Sequence, residues 1–336
     1  MIKNSIRNKI ILAAIGVAVF FVFTELFLRI FNFKFDLNDY IMRFDKMLQV
    51  DVQISDGSFL KDPVLFWTKS PESGFEINSF GFRDSRESMK KDEDSFRIIC
   101  LGGSVTYGAP ADLIKLKATY PKQLELILNS RFPGKRFDVI NAGVPGYTSY
   151  QGLKYLKTKI IKYDPDLIIV LFGHNDAAPA VYFEDKQQVS QQVWLLKIQN
   201  ALIKSRFYQI LSKVIFIFRY NFSQFRTPLN HEKMRVSSVD YTNNLKLMFK
   251  IAESNHFQSL FLPPLIYQND AVFYLDCYGL PENVFMVDYL HRFQQEKNKR
   301  ALFLNDNCHF SALGHRILAE EIADFLIKNN LLNAEK

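Results

Sequence analysis

Two rhythms of apolar residues alternate along most of this chain. Arg97-Ile98-Ile99-Cys100-Leu101, Phe137-Asp138-Val139-Ile140-Asn141, Asp166-Leu167-Ile168-Ile169-Val170-Leu171-Phe172 and Phe257-Gln258-Ser259-Leu260-Phe261-Leu262 are short, nearly continuous apolar runs. Runs of that length stopped by glycine or proline predict strands buried on both faces, as in a parallel sheet. Between them stand stretches with helical spacing: Tyr120 to Leu128, with Pro121 near its start where proline is tolerated, Gln151 to Tyr163, Val239 to Ser254, and Ser311 to about Lys328. Strands alternating with helices, with glycine and polar residues at the strand ends, predict an open parallel α/β sheet with its site along the carboxyl edge.

Two segments break the rhythm. From about 180 to 235, Val193-Trp194-Leu195-Leu196 and Phe207 to Phe218 are apolar and aromatic but interleaved with Lys204, Arg206, Lys213 and Arg219. This pattern fits an amphipathic helical insertion packed on the domain, or a lid or membrane-apposed surface over residues 192–219. At the N-terminus, Lys3, Arg7 and Lys9 precede an uncharged run from Ile10 to Thr24 that continues to Ile30. As a helix, residues 10–30 would extend about 31 Å, enough for a bilayer core. A cleaved signal peptide is the competing reading, but bulky Leu26, Phe27 and Leu28 stand where small residues would mark a cleavage site. The resulting division is a basic cytoplasmic tail at 1–9, a transmembrane signal anchor at 10–30, a membrane-proximal wrapping segment at 31–95, and a domain at 96–330. With the basic end inside, that domain is expected outside the cytoplasm, which is the periplasm if the cell is Gram-negative.

Composition narrows this picture only slightly. The 336 residues are 48% hydrophobic and 23% charged, which suits a globular fold rather than disorder. A net charge of +7 is spread along the chain without a dense run or a nucleic-acid-binding motif, so attraction to an anionic membrane or glycan is the better consequence. Of three cysteines, Cys100 reads as a buried thiol, while Cys277 and Cys308 could pair in an oxidising compartment. No spacing of ligand residues argues for a metal, and nothing fixes the oligomeric state.

Four islands carry the chemistry: Gly102-Gly103-Ser104-Val105-Thr106-Tyr107-Gly108, Asn141-Ala142-Gly143-Val144-Pro145-Gly146, Gly173-His174-Asn175-Asp176 and Asp306-Asn307-Cys308-His309. Ser104 follows two glycines at a strand end, where the backbone can turn sharply and leave Oγ accessible. A helix-capping serine is its plain structural role. Asp306, three residues before His309, can bind Nδ1–H and fix the tautomer while Nε2 takes a proton. His315, six residues on, is read as structural. No nucleotide-binding glycine loop is present.

Together these islands resemble the GDSL/SGNH hydrolase family over roughly Gly74 to Leu326, as do Ile77-Asn78-Ser79-Phe80-Gly81-Phe82-Arg83, Tyr147-Thr148-Ser149 after the second island, and Pro165-Asp166, as in membrane-anchored bacterial members. The resemblance implies a three-layer α/β/α, flavodoxin-like fold and an active site with Ser104 as nucleophile, Asp306 and His309 as acid–base pair, and an oxyanion hole of the Ser104 and Gly146 amides with the Asn175 side chain. Gly143 is the alternative to Gly146, and Asp176 is expected to orient its loop. No cofactor or metal is implied. The implied function is a serine esterase or deacylase acting on O-acyl, chiefly O-acetyl, esters of a cell-envelope carbohydrate or lipid. An O-acyltransferase modifying a surface glycan and a non-catalytic envelope binding or assembly protein are the alternatives. One departure stands out: Gly103 occupies the position of the aspartate in the family's Gly-Asp-Ser motif.

Overall fold

The computed structural model describes residues 2–32, 59–71, 76–86, 88–180, 184–187, 192–202, 205–211, 214, 233–275 and 284–333. At its centre lie five parallel strands in the order β4-β3-β5-β6-β9. These are β3 (Ser95–Gly102), β4 (Arg136–Gly143), β5 (Leu167–Leu171), β6 (Gln258–Phe261) and β9 (Phe285–Met286). Every residue of β3 and β5 is buried. The two-residue period of a strand then sends neighbours to opposite layers. Ile99 and Leu101 pack with α4 (Ser149–Thr158) and α6 (Ser238–Ser254), through Leu153, Leu156, Tyr241 and Leu245. Ile98 and Cys100 pack with α3 (Tyr120–Arg131), α7 (Leu290–Gln295) and α8 (Ala312–Lys328), through Leu124, Leu128, Phe293, Ile317, Leu318 and Ile322. This is the expected three-layer α/β/α arrangement.

The expected strands and helices are present, with two informative differences. The helix read from Gln151 to Tyr163 starts at a Thr148/Gln151 capping box but stops at Thr158, and a 3-10 turn over Ile160–Tyr163 follows. That tighter turn buries Ile160, while Lys159 donates to the Phe80 carbonyl. The second difference is an antiparallel hairpin of β7 (Leu265–Gln268) and β8 (Ala271–Tyr274) after Pro263-Pro264. Its two-residue loop, Asn269-Asp270, has φ of 51° and 59°, the positive pair that a tight hairpin turn needs.

The described part of the 31–95 segment enters the core. Its hairpin, β1 (Phe59–Asp62) and β2 (Phe66–Lys69), buries Phe59, Phe66 and Trp67 against the α4 layer, joined by Phe82 and Met89. α1 (Ile2–Ile30) is a continuous helix whose stretch from Arg7 to Ile30 is long and apolar enough to cross a bilayer. Of the insertion, α5 (Val193–Leu202) and a helical stretch at 206–211 are described. Phe218 and the rest of 215–232 lie outside the described residues.

Candidate active site

Ser104 opens α2 (Ser104–Tyr107), a single turn that leaves β3 through Gly102-Gly103. As the first helical residue it has an amide with no intrahelical acceptor. Its hydroxyl caps no helix; Gly103 holds the cap position. Instead Ser104 Oγ lies 2.6 Å from His309 Nε2. His309 Nδ1 lies 2.5 Å from Asp306 Oδ2. The three side chains expected to act together are therefore connected in one hydrogen-bonded line, although 205 residues separate the serine from the histidine in sequence.

The turn carrying the histidine is built by its own carboxylate. Asp306 Oδ1 accepts the amides of Cys308 (3.2 Å) and His309 (2.9 Å), and Asn307 takes φ 67°. Outside contacts fix this turn: the Leu304 amide donates to His309 O, and the Tyr267 amide of β7 donates to Asn307 O. The unforeseen hairpin thus braces the base loop. Partial burial alone would raise the Asp306 pKa, but the hydrogen bonds from the His309 ring and the two amides hold it well below the usual carboxylate range. Burial likewise works against an imidazolium at His309. The Asp306 hydrogen bond, the Cys308 sulfur and their charges outweigh that effect and raise its pKa from 6.5 to about 10.

Across the serine lies a second cluster of donors. The Gly143 amide is taken by Asn141 Oδ1 at 3.0 Å, which occupies the alternative oxyanion donor. Gly146, at φ 82°, has an amide with no acceptor among the described residues. Asn175 Nδ2 donates to Tyr147 O at 3.0 Å, beside the serine loop. Asp176 holds that loop as expected: its two oxygens accept the Ser149 amide (2.8 Å) and the Gly173 amide (3.1 Å). Burial raises the Asp176 pKa to about 6 despite these bonds.

Two buried arginines support the site and escaped sequence reasoning as such. Arg83 donates to the carbonyls of Tyr107 and Gly108, the far end of the serine turn, and to Ile114 O. Arg235 donates to Gly146 O at 2.9 Å and forms a two-pronged ion pair with Asp185 at 3.2 and 2.9 Å, both side chains fully buried. Asp185 also accepts the Thr148 hydroxyl, and Arg235 reaches Gln151 Oε1. The motif ending in Arg83 was visible in sequence; the Asp185–Arg235 pair spans 50 positions and had no local signal.

Two other histidines have different partners. His315 is fully buried on α8; its Nδ1 accepts the Tyr120 amide at 3.3 Å, its ring stacks on Tyr120, and burial lowers its pKa to about 3. His174 faces Leu265 O at 2.9 Å, and burial lowers its pKa to about 4. Cys308 carries a free thiol, and Cys277, the partner the sequence offered, lies outside the described residues. Although no spacing suggested metal ligands, the donor atoms of Asp306, Cys308 and His309 lie within 4.8 Å of one another. A cation there would compete with the Asp306–His309 hydrogen bond.

The structure gives a reason for glycine at 103. A Cβ on Gly103 would fall 2.8 Å from Asn175 Nδ2 and 3.2 Å from Tyr147 O. Installing the motif's aspartate is therefore expected to hurt: Gly103→Asp should displace the Asn175 amide and lower kcat by about a hundredfold, the scale of one lost oxyanion donor. Steady-state kinetics beside a melting curve checks this. Unchanged or higher kcat in a folded variant contradicts it.

Residues 100–232 match the model of the GDSL-like Lipase/Acylhydrolase family. That span contains Ser104, Gly146 and Asn175 but ends before Asp306 and His309, so the acid–base pair stands on geometry. An acetylxylan esterase of Xylanibacter ruminicola is 29% identical over 113 residues, covering 31% of this chain and 22% of that protein. The chain thus spans under a quarter of that curated relative. Among solved structures, a lipase/acylhydrolase from Enterococcus faecalis superposes with a TM-score of 0.43 at 16% identity, over 72% of this chain and 99% of the other. A two-domain esterase active on acetylated mannans gives 0.42 at 19% identity, over 70% and 49%.

Proposed function

We propose that this chain, whose residues 100–232 match the GDSL-like Lipase/Acylhydrolase model, is a serine hydrolase that cleaves carboxylic esters through a Ser104 acyl-enzyme. The observation that carries the reading is the continuous line Ser104 Oγ, His309 Nε2, His309 Nδ1, Asp306 Oδ2, at 2.6 and 2.5 Å. Neutral His309 removes the Ser104 proton as Oγ attacks the ester carbonyl. The amides of Ser104 and Gly146 and the Asn175 side chain meet the negative charge that develops on the carbonyl oxygen. His309 then returns the proton to the departing alkoxide, and water repeats the sequence to release the acid. Asp306 holds the imidazole tautomer throughout and stabilises its cation.

The substrate class follows less directly. Similarity to an acetylxylan esterase favours a small acyl group on a carbohydrate. The apolar stretch of α1, with Lys3, Arg7 and Lys9 at its N-terminal end, favours an anchor with the domain on the outer side and, with it, an ester on an envelope glycan or lipid. A fluorophosphonate probe tests the chemistry: the folded chain should become labelled at Ser104, and the Ser104→Ala variant should stay unlabelled. Folded protein that resists the probe would sink the enzyme reading and favour a binding role.

The acid–base pair also sets a pH dependence. The active base is the neutral imidazole, and its pKa is raised, so kcat/KM should climb with pH through a limb displaced far to the alkaline side of 6.5, towards about 10. Asp306→Asn removes the charge that raises it and should move the limb back towards neutrality while lowering the plateau. A limb that stays put in Asp306→Asn would show that another group controls the rate.

A further inference from the structure

α5 is built inside out. Its inward side is polar in part: Asn200 Oδ1 accepts the Lys61 amide and Nδ2 donates to the Lys61 carbonyl, both at 2.9 Å, and Gln199 Oε1 is buried, as is Leu196. Trp194, Ile198 and Leu202, spaced by four along one stripe, point outward with Leu195. Trp194 is 61% exposed and Ile198 48%. A surface helix of a water-soluble domain has the reverse arrangement.

What lies next to that face says what covers it. Three residues after Leu202 the chain meets α1, and Glu25 of α1 accepts hydrogen bonds from Ser205 Oγ (2.9 Å) and from the amides of Arg206 (3.2 Å) and Phe207 (2.9 Å). The acidic side chain thus caps the helical stretch at 206–211. One turn deeper along α1, the Phe21 ring meets Phe207 edge-on at 4.8 Å. Three residues of chain reach about 11 Å at most. α5 therefore ends close to the level at which α1 would leave the apolar layer, and Lys197 on α5 is exposed where anionic headgroups would lie.

We propose that the outward face of α5 beds into the outer leaflet of the bilayer, so that the domain is held against the membrane at two places, α1 and α5. The proposal rests on reading α1 as a membrane anchor. It adds that the catalytic domain lies flat on the lipid with a fixed orientation rather than swinging on a tether.

The chain carries its own reporter. It has two tryptophans, and Trp67 is fully buried in the core. The full chain would be reconstituted in phosphatidylcholine–phosphatidylglycerol vesicles, with and without bromine on the upper acyl carbons, and compared with Trp194→Phe to isolate the Trp194 emission. Brominated lipid should remove roughly half or more of that emission, and aqueous iodide should have little effect, because an interfacial helix sits within reach of the upper chains. Ile198→Asp should reduce the quenching by lipid at an unchanged melting temperature. Quenching by iodide instead of bromine would put the face in water and overturn the proposal. Shielding from both quenchers would mark a protein on that face and overturn it equally. Alkaline extraction separates the two readings: retention in vesicles without bromine quenching removes only the α5 assignment, whereas release without quenching removes the anchor as well.

Discussion

Replacing Ser104 by alanine is expected to lower kcat/KM for ester hydrolysis by about four orders of magnitude or more, with the fold intact. The variant loses only an oxygen that the structure commits to His309 Nε2. His309→Ala should be nearly as damaging, and the double variant hardly worse than either single one, because a nucleophile without its base and a base without its nucleophile are idle in the same way. Residual activity within about tenfold of the parent, a loss of only about 1.4 kcal/mol, would rule out Ser104 as nucleophile. Loss of activity in His315→Ala at an unchanged melting temperature would show that the base had been misassigned.

The second large effect concerns stability. Arg235→Met should destabilise the domain by about 3–5 kcal/mol, because it removes the cation paired with the fully buried Asp185 carboxylate. Removing both charges in Asp185→Leu/Arg235→Met should recover much of that loss, since an uncharged pair of similar size leaves no orphan charge. The double variant should nevertheless turn over slowly, because Gly146 O has lost its donor and the turn offering the Gly146 amide is no longer held. Denaturant unfolding of the three proteins beside kinetics would decide the matter. A single variant within about 1 kcal/mol of the parent would show that water or another cation reaches Asp185.

Much of this architecture could be read from the chain. Each core strand is a run of apolar residues with its own stop signal, and burial on both faces makes such runs conspicuous. The site was legible for a related reason: Ser104, Gly146, Asn175 and the Asp306–His309 pair each sit in a short island at an element boundary, where glycine, proline and asparagine mark the backbone. The β7–β8 hairpin was missed because Asn269-Asp270 offers a weaker turn signal than a glycine pair, and the preceding Pro263-Pro264 reads simply as a loop. Arg235 was invisible for a deeper reason. A buried ion pair is a property of two distant positions, and neither Asp185 nor Arg235 differs locally from a surface charge. Gly103 shows a third kind of limit: the sequence revealed a missing carboxylate, whereas the space it would fill is occupied by Asn175.

The two ends of the insertion are joined beside the Gly146 turn. Ala180 N bonds Lys233 O, Arg235 N bonds Ala178 O, Asp185 N bonds Arg235 O, and the Asp185–Arg235 ion pair closes the gap. With its ends clasped in this way, the chain between them is closed as a loop. Doubling the length of such a loop costs only about 0.6 kcal/mol in closure entropy. Length added between these ends is therefore cheap in closure entropy, while the clasp keeps its own hydrogen bond to Gly146 O. In this chain, the length of the insertion and the geometry around Ser104 are separable inheritances.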